Sequence, residues 1–311
     1  MNILITGGSG FVGSYLCEKL INDGHEIIVV DNLLTGSTEN INHLMHNENF
    51  SFIEHDVQNH IEIENKVDYV LHFASAASPK AYTEHPVNTL KAGSVGTINT
   101  LGLAKKHDAE FLLASTSEVY GDPLISPQTE EYWGNVNPNG ERSMYDEAKR
   151  FAEAAVATYS RSYDLKTKIV RIFNTYGPRM QLNDGRVVTN FIVQALKNEN
   201  ITIYGDGSQT RSFSYVEDTV AGIISLMNSS EYDVFNIGNP NEMTVGQLAE
   251  KIVELTDSTS EIKYLELPND DPKQRKPDIT KAKTKLNWEP KVNLEDGLTK
   301  TIKWVEGQLS K

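Results

Sequence analysis

Cysteine is almost missing from this 311-residue chain, with Cys17 its single example. One thiol excludes an internal disulfide and a cysteine-based zinc site, and it fits a reducing compartment. Basic residues are also scarce: Lys and Arg number 29 against 43 Asp and Glu, a net charge of −14. A surface this acidic argues against nucleic acid or an anionic membrane as partner. An anionic small ligand would need a local cluster of Arg and Lys. No apolar run approaches the roughly 18 residues of a membrane span. A strand pattern starts at Asn2 with no basic region ahead of it, so no secretory signal is read and the expected location is the cytoplasm. The eight His are scattered; His43 and His46 have no obvious third ligand, so no metal site is expected. Repeats and low-complexity segments are missing too. What remains, 39% hydrophobic and 23% charged residues, is an ordinary globular composition.

The first half of the chain alternates short apolar runs with segments of helical period. Asn2 to Thr6, Glu26 to Asp31, Phe50 to His55, Val67 to Phe73, Glu110 to Ser115 and Thr167 to Ile172 read as buried strands. Phe11 to Asn22, Pro86 to Lys106 and Ser143 to Tyr163 read as helices. Such alternation predicts an α/β fold, a doubly wound parallel sheet covered on both faces. The rhythm breaks after Ile172. A first domain is expected over residues 1–173, with about 213–240 returning to it, and a smaller lobe over 174–311. The charged run from Asp270 to Lys276 reads most simply as a solvated loop.

Thr6-Gly7-Gly8-Ser9-Gly10-Phe11-Val12-Gly13 leaves the first strand and opens the first helix. Gly7, Gly10 and Gly13 have the spacing of a turn that lets a pyrophosphate approach the backbone at a helix N-terminus. The second strand ends at Asp31, 18 residues past Gly13. A carboxylate there accepts ribose hydroxyls and repels a 2′-phosphate, which selects NAD over NADP. Asp56, at the end of the third strand, could reach the adenine or simply cap the strand.

Tyr145 and Lys149 stand four apart on a predicted helix and share a face. A tyrosine with a reference pKa of about 10 needs a neighbouring cation to act as a base at neutral pH. On its own the pair is better read as a half-buried Tyr beside an exposed Lys. Ala114-Ser115-Thr116-Ser117-Glu118-Val119-Tyr120-Gly121 ends the fifth strand, where ligands of doubly wound sheets bind. Taken with the glycine turn, these segments resemble the extended short-chain dehydrogenase/reductases that act on nucleotide sugars. Within them, T-S-E and R-K-P-D-I point to the UDP-glucuronic acid decarboxylases, and R-I-F-N-T-Y-G-P-R-M, N-D-G-R-V-V-T-N-F and Y-G-D-G-S-Q-T-R-S-F extend the likeness along the chain.

The resemblance implies a Rossmann fold and bound NAD that is recycled while UDP-glucuronic acid becomes UDP-xylose through a 4-keto intermediate. It implies cofactor contacts from Gly7, Gly10, Phe11, Val12 and Gly13, then from Asp31, Asn32, Thr35 and Gly36. Asp56, Val57, Phe73 and Ser75 follow, with Tyr145 and Lys149 at the nicotinamide. Tyr145 matches the catalytic base, Lys149 its partner, and Thr116 or Ser117 the contact to the 4-hydroxyl. Glu118 matches a residue that manages protons at C5 and C6 in related 4,6-dehydratases, whose preceding Asp is replaced here by Ser117. Arg275 matches the arginine that meets the C6 carboxylate. Lys91, Asn174, Arg186, Tyr204, Gln209 and Arg211 fall in segments that enclose the nucleotide sugar. Relatives form dimers, and the apolar positions Val87, Leu90, Val95, Ile98 and Leu101, on more than one helix face, suggest such a seam. A UDP-sugar 4-epimerase, a 4,6-dehydratase and a non-catalytic NAD-binding sensor or scaffold stay open as alternatives.

Overall fold

Apolar runs too short for helices become parallel strands, and the intervening amphipathic segments return the chain to the starting edge. The structure, a computed structural model, describes residues 1–266 and 274–310. In chain order the first half contains β1 (Asn2–Thr6), α1 (Phe11–Asn22), β2 (Glu26–Asp31), β3 (Phe50–Glu54) and β4 (Tyr69–His72). There follow α2 (Pro79–Glu84), α3 (Pro86–Lys91), α4 (Thr97–His107), β5 (Glu110–Thr116), α5 (Ser143–Tyr163) and β6 (Thr167–Ile172). The second half has β7 (Thr175–Tyr176), α6 (Val187–Leu196), β8 (Ile201–Tyr204), β9 (Thr210–Ser212), β10 (Ser214–Tyr215) and α7 (Val216–Asn228). It ends with β11 (Val234–Ile237), β12 (Glu242–Thr244), α8 (Val245–Thr256), β13 (Ile262–Leu265), β14 (Gln274–Arg275), α9 (Thr280–Leu286) and α10 (Leu294–Leu309).

Seven strands form one parallel sheet in the order β11-β6-β5-β4-β1-β2-β3. Alternate residues of each strand supply its two faces. Ile3, Ile5, Val29, Leu71 and Leu112 pack into one apolar cluster with α1, α6 and α7. Leu4, Val30, Val70, Phe111 and Leu113 pack into the other with α4 and α5. That two-sided burial is why the strands read as nearly unbroken apolar runs. The strand order reverses between β1 and β4, which opens a crevice at the carboxyl ends of those strands.

The segment expected to form one helix from Pro86 to Lys106 is interrupted by a π-helical turn at Ala92–Gly96. Two glycines in this turn permit close packing. A Cβ on Gly93 would stand 2.7 Å from the Cβ of Ala148 in α5, and one on Gly96 2.7 Å from Val57 Cγ2. The turn thus lets this helix approach both α5 and the loop after β3. Beyond β6 the described residues build three small sheets: β7 with β10, β8 with β13, and β12-β9-β14. Strand β11 lies at the edge of the large sheet, with Phe235 opposite Val170.

Candidate active site

The crevice is a cavity of about 1180 Å³ that gathers the ends of β1, β2, β3, β4, β5 and β6. At its floor Gly7 adopts φ +74°, a conformation that favours glycine, and Gly10 N donates to Gly7 O at 3.2 Å. A Cβ on Gly13 would lie 2.2 Å from that same oxygen. The turn and the first residues of α1 therefore form a bare backbone cradle at a helix N-terminus. Asp31, at the end of β2, is buried; its Oδ2 accepts from Ser9 N at 3.1 Å and its Oδ1 from Leu33 N at 2.9 Å. Asn32 Nδ2 donates to Asp56 Oδ2 at 3.0 Å, joining the β2 and β3 ends. A glycine cradle beside a carboxylate of this kind fits a dinucleotide with an unphosphorylated adenosine ribose.

The other half of the cavity carries the chemistry. Strand β5 ends at Thr116, whose Oγ1 accepts from Glu118 N at 3.2 Å and caps a 3₁₀ turn over Ser117–Tyr120. Opposite it, α5 presents Tyr145 and Lys149, both buried. Lys149 Nζ donates to Ala114 O at 2.8 Å and lies 5.8 Å from the centre of the Tyr145 ring. Tyr82 of α2 stacks on that ring, centroids 5.2 Å apart and planes 14° off parallel. Burial pushes the Tyr145 phenol up to about 12, opposed by a hydrogen bond with Thr116. Burial also brings the Lys149 ammonium down to about 8. Each group alone is therefore held in its uncharged form more than it would be in water, and a ligand that adds positive charge nearby would shift Tyr145 toward the phenolate.

Glu118 is the centre of a charged cluster. Arg142 Nη2 is 2.5 Å from Glu118 Oε2, and Arg275 Nη2 is 3.2 Å from the same atom. Arg275 Nη1 also donates to Ser117 O. Burial alone would raise the Glu118 carboxyl; Arg275, Arg142 and Arg211 outweigh it and hold the group below its ordinary range. Asp146, one residue past Tyr145, is raised by burial and by the charge of Glu118.

Every cofactor position named from the sequence lines this cavity: Gly7, Gly10, Phe11, Val12, Gly13, Asp31, Asn32, Thr35, Gly36, Asp56, Val57, Phe73 and Ser75. So do Thr116, Ser117, Glu118, Tyr145, Lys149, Asn174, Arg186, Tyr204, Gln209, Arg211 and Arg275. Lys91 does not. It is exposed, because Asn88, Thr89 and Ala92 form the face of the helix that meets the cavity and Lys91 falls outside that face. Arg275 corrects the simpler reading of its charged run. It is 2% exposed, on β14, which pairs in parallel with β9 so that Arg275 lies opposite Arg211. The run's residues 270–273 lie outside the described residues. The cavity thus collects Arg142, Arg179, Arg186, Arg211 and Arg275 in an otherwise acidic protein. Tyr82, Arg142 and Arg179 were not singled out from the sequence; only the position of Arg142, immediately ahead of the helix that carries Tyr145, was a local signal for any of them.

Among the described residues, no helix is long and apolar enough to cross a membrane. The GDP-mannose 4,6 dehydratase family model matches residues 4–301. The chain is 54% identical over 307 residues to UDP-glucuronic acid decarboxylase 1 of Xenopus tropicalis, covering 99% of this chain and 72% of that one. Among solved structures it is similar to UDP-glucose 4-epimerase of Thermotoga maritima with UDP-glucose, at a TM-score of 0.90 and 33% identity over 99% and 100% of the two chains. It is also similar to UDP-glucuronic acid 4-epimerase of Bacillus cereus in complex with UDP-glucuronic acid and NAD, at 0.88 and 26% over 99% and 100%. The chain belongs to the extended short-chain dehydrogenase/reductases that act on nucleotide sugars, in the family of the UDP-glucuronic acid decarboxylases.

Proposed function

We propose that this protein is an NAD-dependent UDP-glucuronate decarboxylase that converts UDP-glucuronic acid to UDP-xylose. The observation that carries the reading is the buried guanidinium of Arg275, set against Ser117 and Glu118 on the same cavity wall as Thr116. A carboxylated sugar would give that arginine a further, anionic partner beside Glu118. The glycine cradle, Asp31 and Lys149 would hold the cofactor. NAD, when bound, supplies reversible oxidation at C4 of the sugar, which places a carbonyl beta to the C6 carboxylate.

Tyr145 Oη takes the proton of the 4-hydroxyl, and the Lys149 ammonium beside its ring favours the phenolate. Thr116, whose hydroxyl favours the charged form of that phenol and lines the same cavity, is placed to orient it toward the sugar. Arg275 orients the carboxylate in the plane of its fork, so that carbon dioxide leaves with the bonding electrons passing toward the C4 carbonyl. Glu118, held ionised by its arginines, fixes those guanidinium groups in place. Arg186 and Arg211 supply positive charge for the diphosphate. Ser117 stands where a dehydratase needs an acid, which supports decarboxylation over loss of water.

The test is direct. The protein is incubated with UDP-glucuronic acid and NAD, and the products are identified by mass spectrometry. Release of carbon dioxide with UDP-xylose is expected; a retained carboxylate with inverted C4 would make the protein an epimerase.

A homodimer completes the proposal. Val87, Leu90, Val95 and Ile98 are exposed along α3, the π turn and α4, and Phe151 is exposed on the neighbouring α5, while Leu101 packs in the core. Two copies joined through these helices would cover that apolar strip. Light scattering on wild type and Leu90→Lys checks it, with a dimer expected for the first and a monomer for the second.

A further inference from the structure

In the loop between β5 and α5, Gln128 is a buried polar side chain that the chemistry above does not use. Gln128 is fully buried and does not line the cavity. Its N–H donates to Lys276 O at 2.8 Å and its carbonyl accepts from Asp278 N at 2.8 Å, a parallel bridge opposite Pro277. The side chain adds a second clamp. Oε1 accepts from Lys276 N at 2.9 Å, while Nε2 donates to Ile125 O at 2.7 Å. The Gln128 carbonyl also accepts from Asn236 Nδ2 at 3.0 Å, and Asn236 Oδ1 accepts from Tyr120 OH at 2.8 Å. Tyr120 closes the 3₁₀ turn of Ser117 and Glu118. One buried network therefore ties the strand of Arg275 to the turn that its guanidinium meets.

β14 itself pairs with β9, and the residues that directly follow it, Lys276 to Asp278, are held by Gln128. A buried amide is costly unless both of its ends are paired. Here both are, and an apolar side chain would fill the same space without that requirement. A neutral amide of this length accepts from Lys276 N and donates to Ile125 O at once, which neither Met nor an ionised Glu can do.

We propose that Gln128 is a positioning residue for decarboxylation, fixing Arg275 relative to the sugar's carboxylate by clamping Lys276 without touching the substrate. This rests on the decarboxylase reading above. The test uses Gln128→Ala, the near-isosteric Gln128→Met, Arg275→Ala and the Gln128→Met/Arg275→Ala double variant, each as holoenzyme. Carbon dioxide release is measured, together with affinities for UDP-glucuronic acid and for UDP-glucose, which lacks the carboxylate. Gln128→Met should lower kcat about tenfold and narrow the preference for UDP-glucuronic acid by a similar factor, with UDP-glucose affinity unchanged. In the Arg275→Ala background it should cost nothing further. Should the alanine variant fail to fold, the methionine variant carries the test alone. Wild-type kcat and preference in Gln128→Met, or losses that multiply in the double variant, overturn the proposal. Full decarboxylation by Arg275→Ala would instead strike the functional reading itself.

Discussion

Glu118 and Arg275 are 157 positions apart in the chain and 3.2 Å apart in the fold, in a pair almost closed to solvent. The pair joins the turn after the fifth strand to a short strand near the C-terminus. A solvated charge on a loop would contribute about 0–1 kcal/mol and be dispensable. A buried guanidinium aimed at a substrate carboxylate would not.

Arg275→Ala should accordingly suppress carbon dioxide release by about 10²- to 10³-fold, the usual effect of losing one strong charge-stabilising donor. UDP, which has no carboxylate, should bind nearly as before and also report that the variant is folded. Arg275→Lys should rescue poorly, because a point charge cannot reproduce a planar fork. Turnover is followed by trapping labelled carbon dioxide, and UDP affinity by calorimetry on the same preparations. Full activity in Arg275→Ala would remove this residue from the site.

Tyr145→Phe keeps the ring stacked on Tyr82 and removes only the hydroxyl. Turnover should fall by about 10²- to 10⁴-fold, the range for loss of a general base, while substrate affinity changes little. Single-turnover kinetics separates the two. Near-normal turnover would require another base.

Much of this was legible because it is local. The six strands of the first half fall within a few residues of the apolar runs that announced them, and Phe11–Asn22 and Ser143–Tyr163 match their helical periods. Burial on both sheet faces writes itself into sequence as a run, and a helix that covers a sheet as a period. Of the arginine cluster, Arg186, Arg211 and Arg275 were legible only through likeness to relatives, because the partner of Arg275, Glu118, is far away in sequence; Arg142 and Arg179 were not. The π turn at Ala92–Gly96 was hidden, since the close approach of Ala148 and Val57 to its glycines is tertiary and leaves no local period. Lys91 shows the converse limit. A helix position can be read from its period, but which face meets a ligand depends on the helix's rotation against α5.

Asp31→Ala should weaken NAD binding by about tenfold or more, as expected for a lost charged acceptor, and shrink the discrimination against NADP. The substitution also releases Ser9 N and Leu33 N, which Asp31 now holds. The glycine turn should therefore become more mobile, an effect visible as faster amide exchange at residues 7–13. Titration with both cofactors checks the first point. An unchanged NAD/NADP preference would mean that Asp31 does not face the adenosine ribose.

Asp146 Oδ1 is buried beside the Glu118 cluster with no hydrogen-bond partner among the described residues. Burial, reinforced by the Glu118 charge, raises its folded-state pKa above the ordinary value of 3.8. An acid whose pKa is raised on folding binds more protons folded than unfolded between the two values. Its contribution to stability is therefore complete below pH 3.8 and is lost as pH rises through the folded-state value. Above that, the fold must hold a buried carboxylate next to another. Asp146→Asn keeps the shape and removes the titration. Relative to wild type, the variant should gain stability as pH rises from about 4 toward neutrality, with the difference levelling off once the wild-type carboxyl is ionised. Urea unfolding of both proteins across that range measures it. A stability difference independent of pH would mean that Asp146 ionises in the folded protein as it does in the unfolded chain, and that the neighbouring arginines fully compensate its burial.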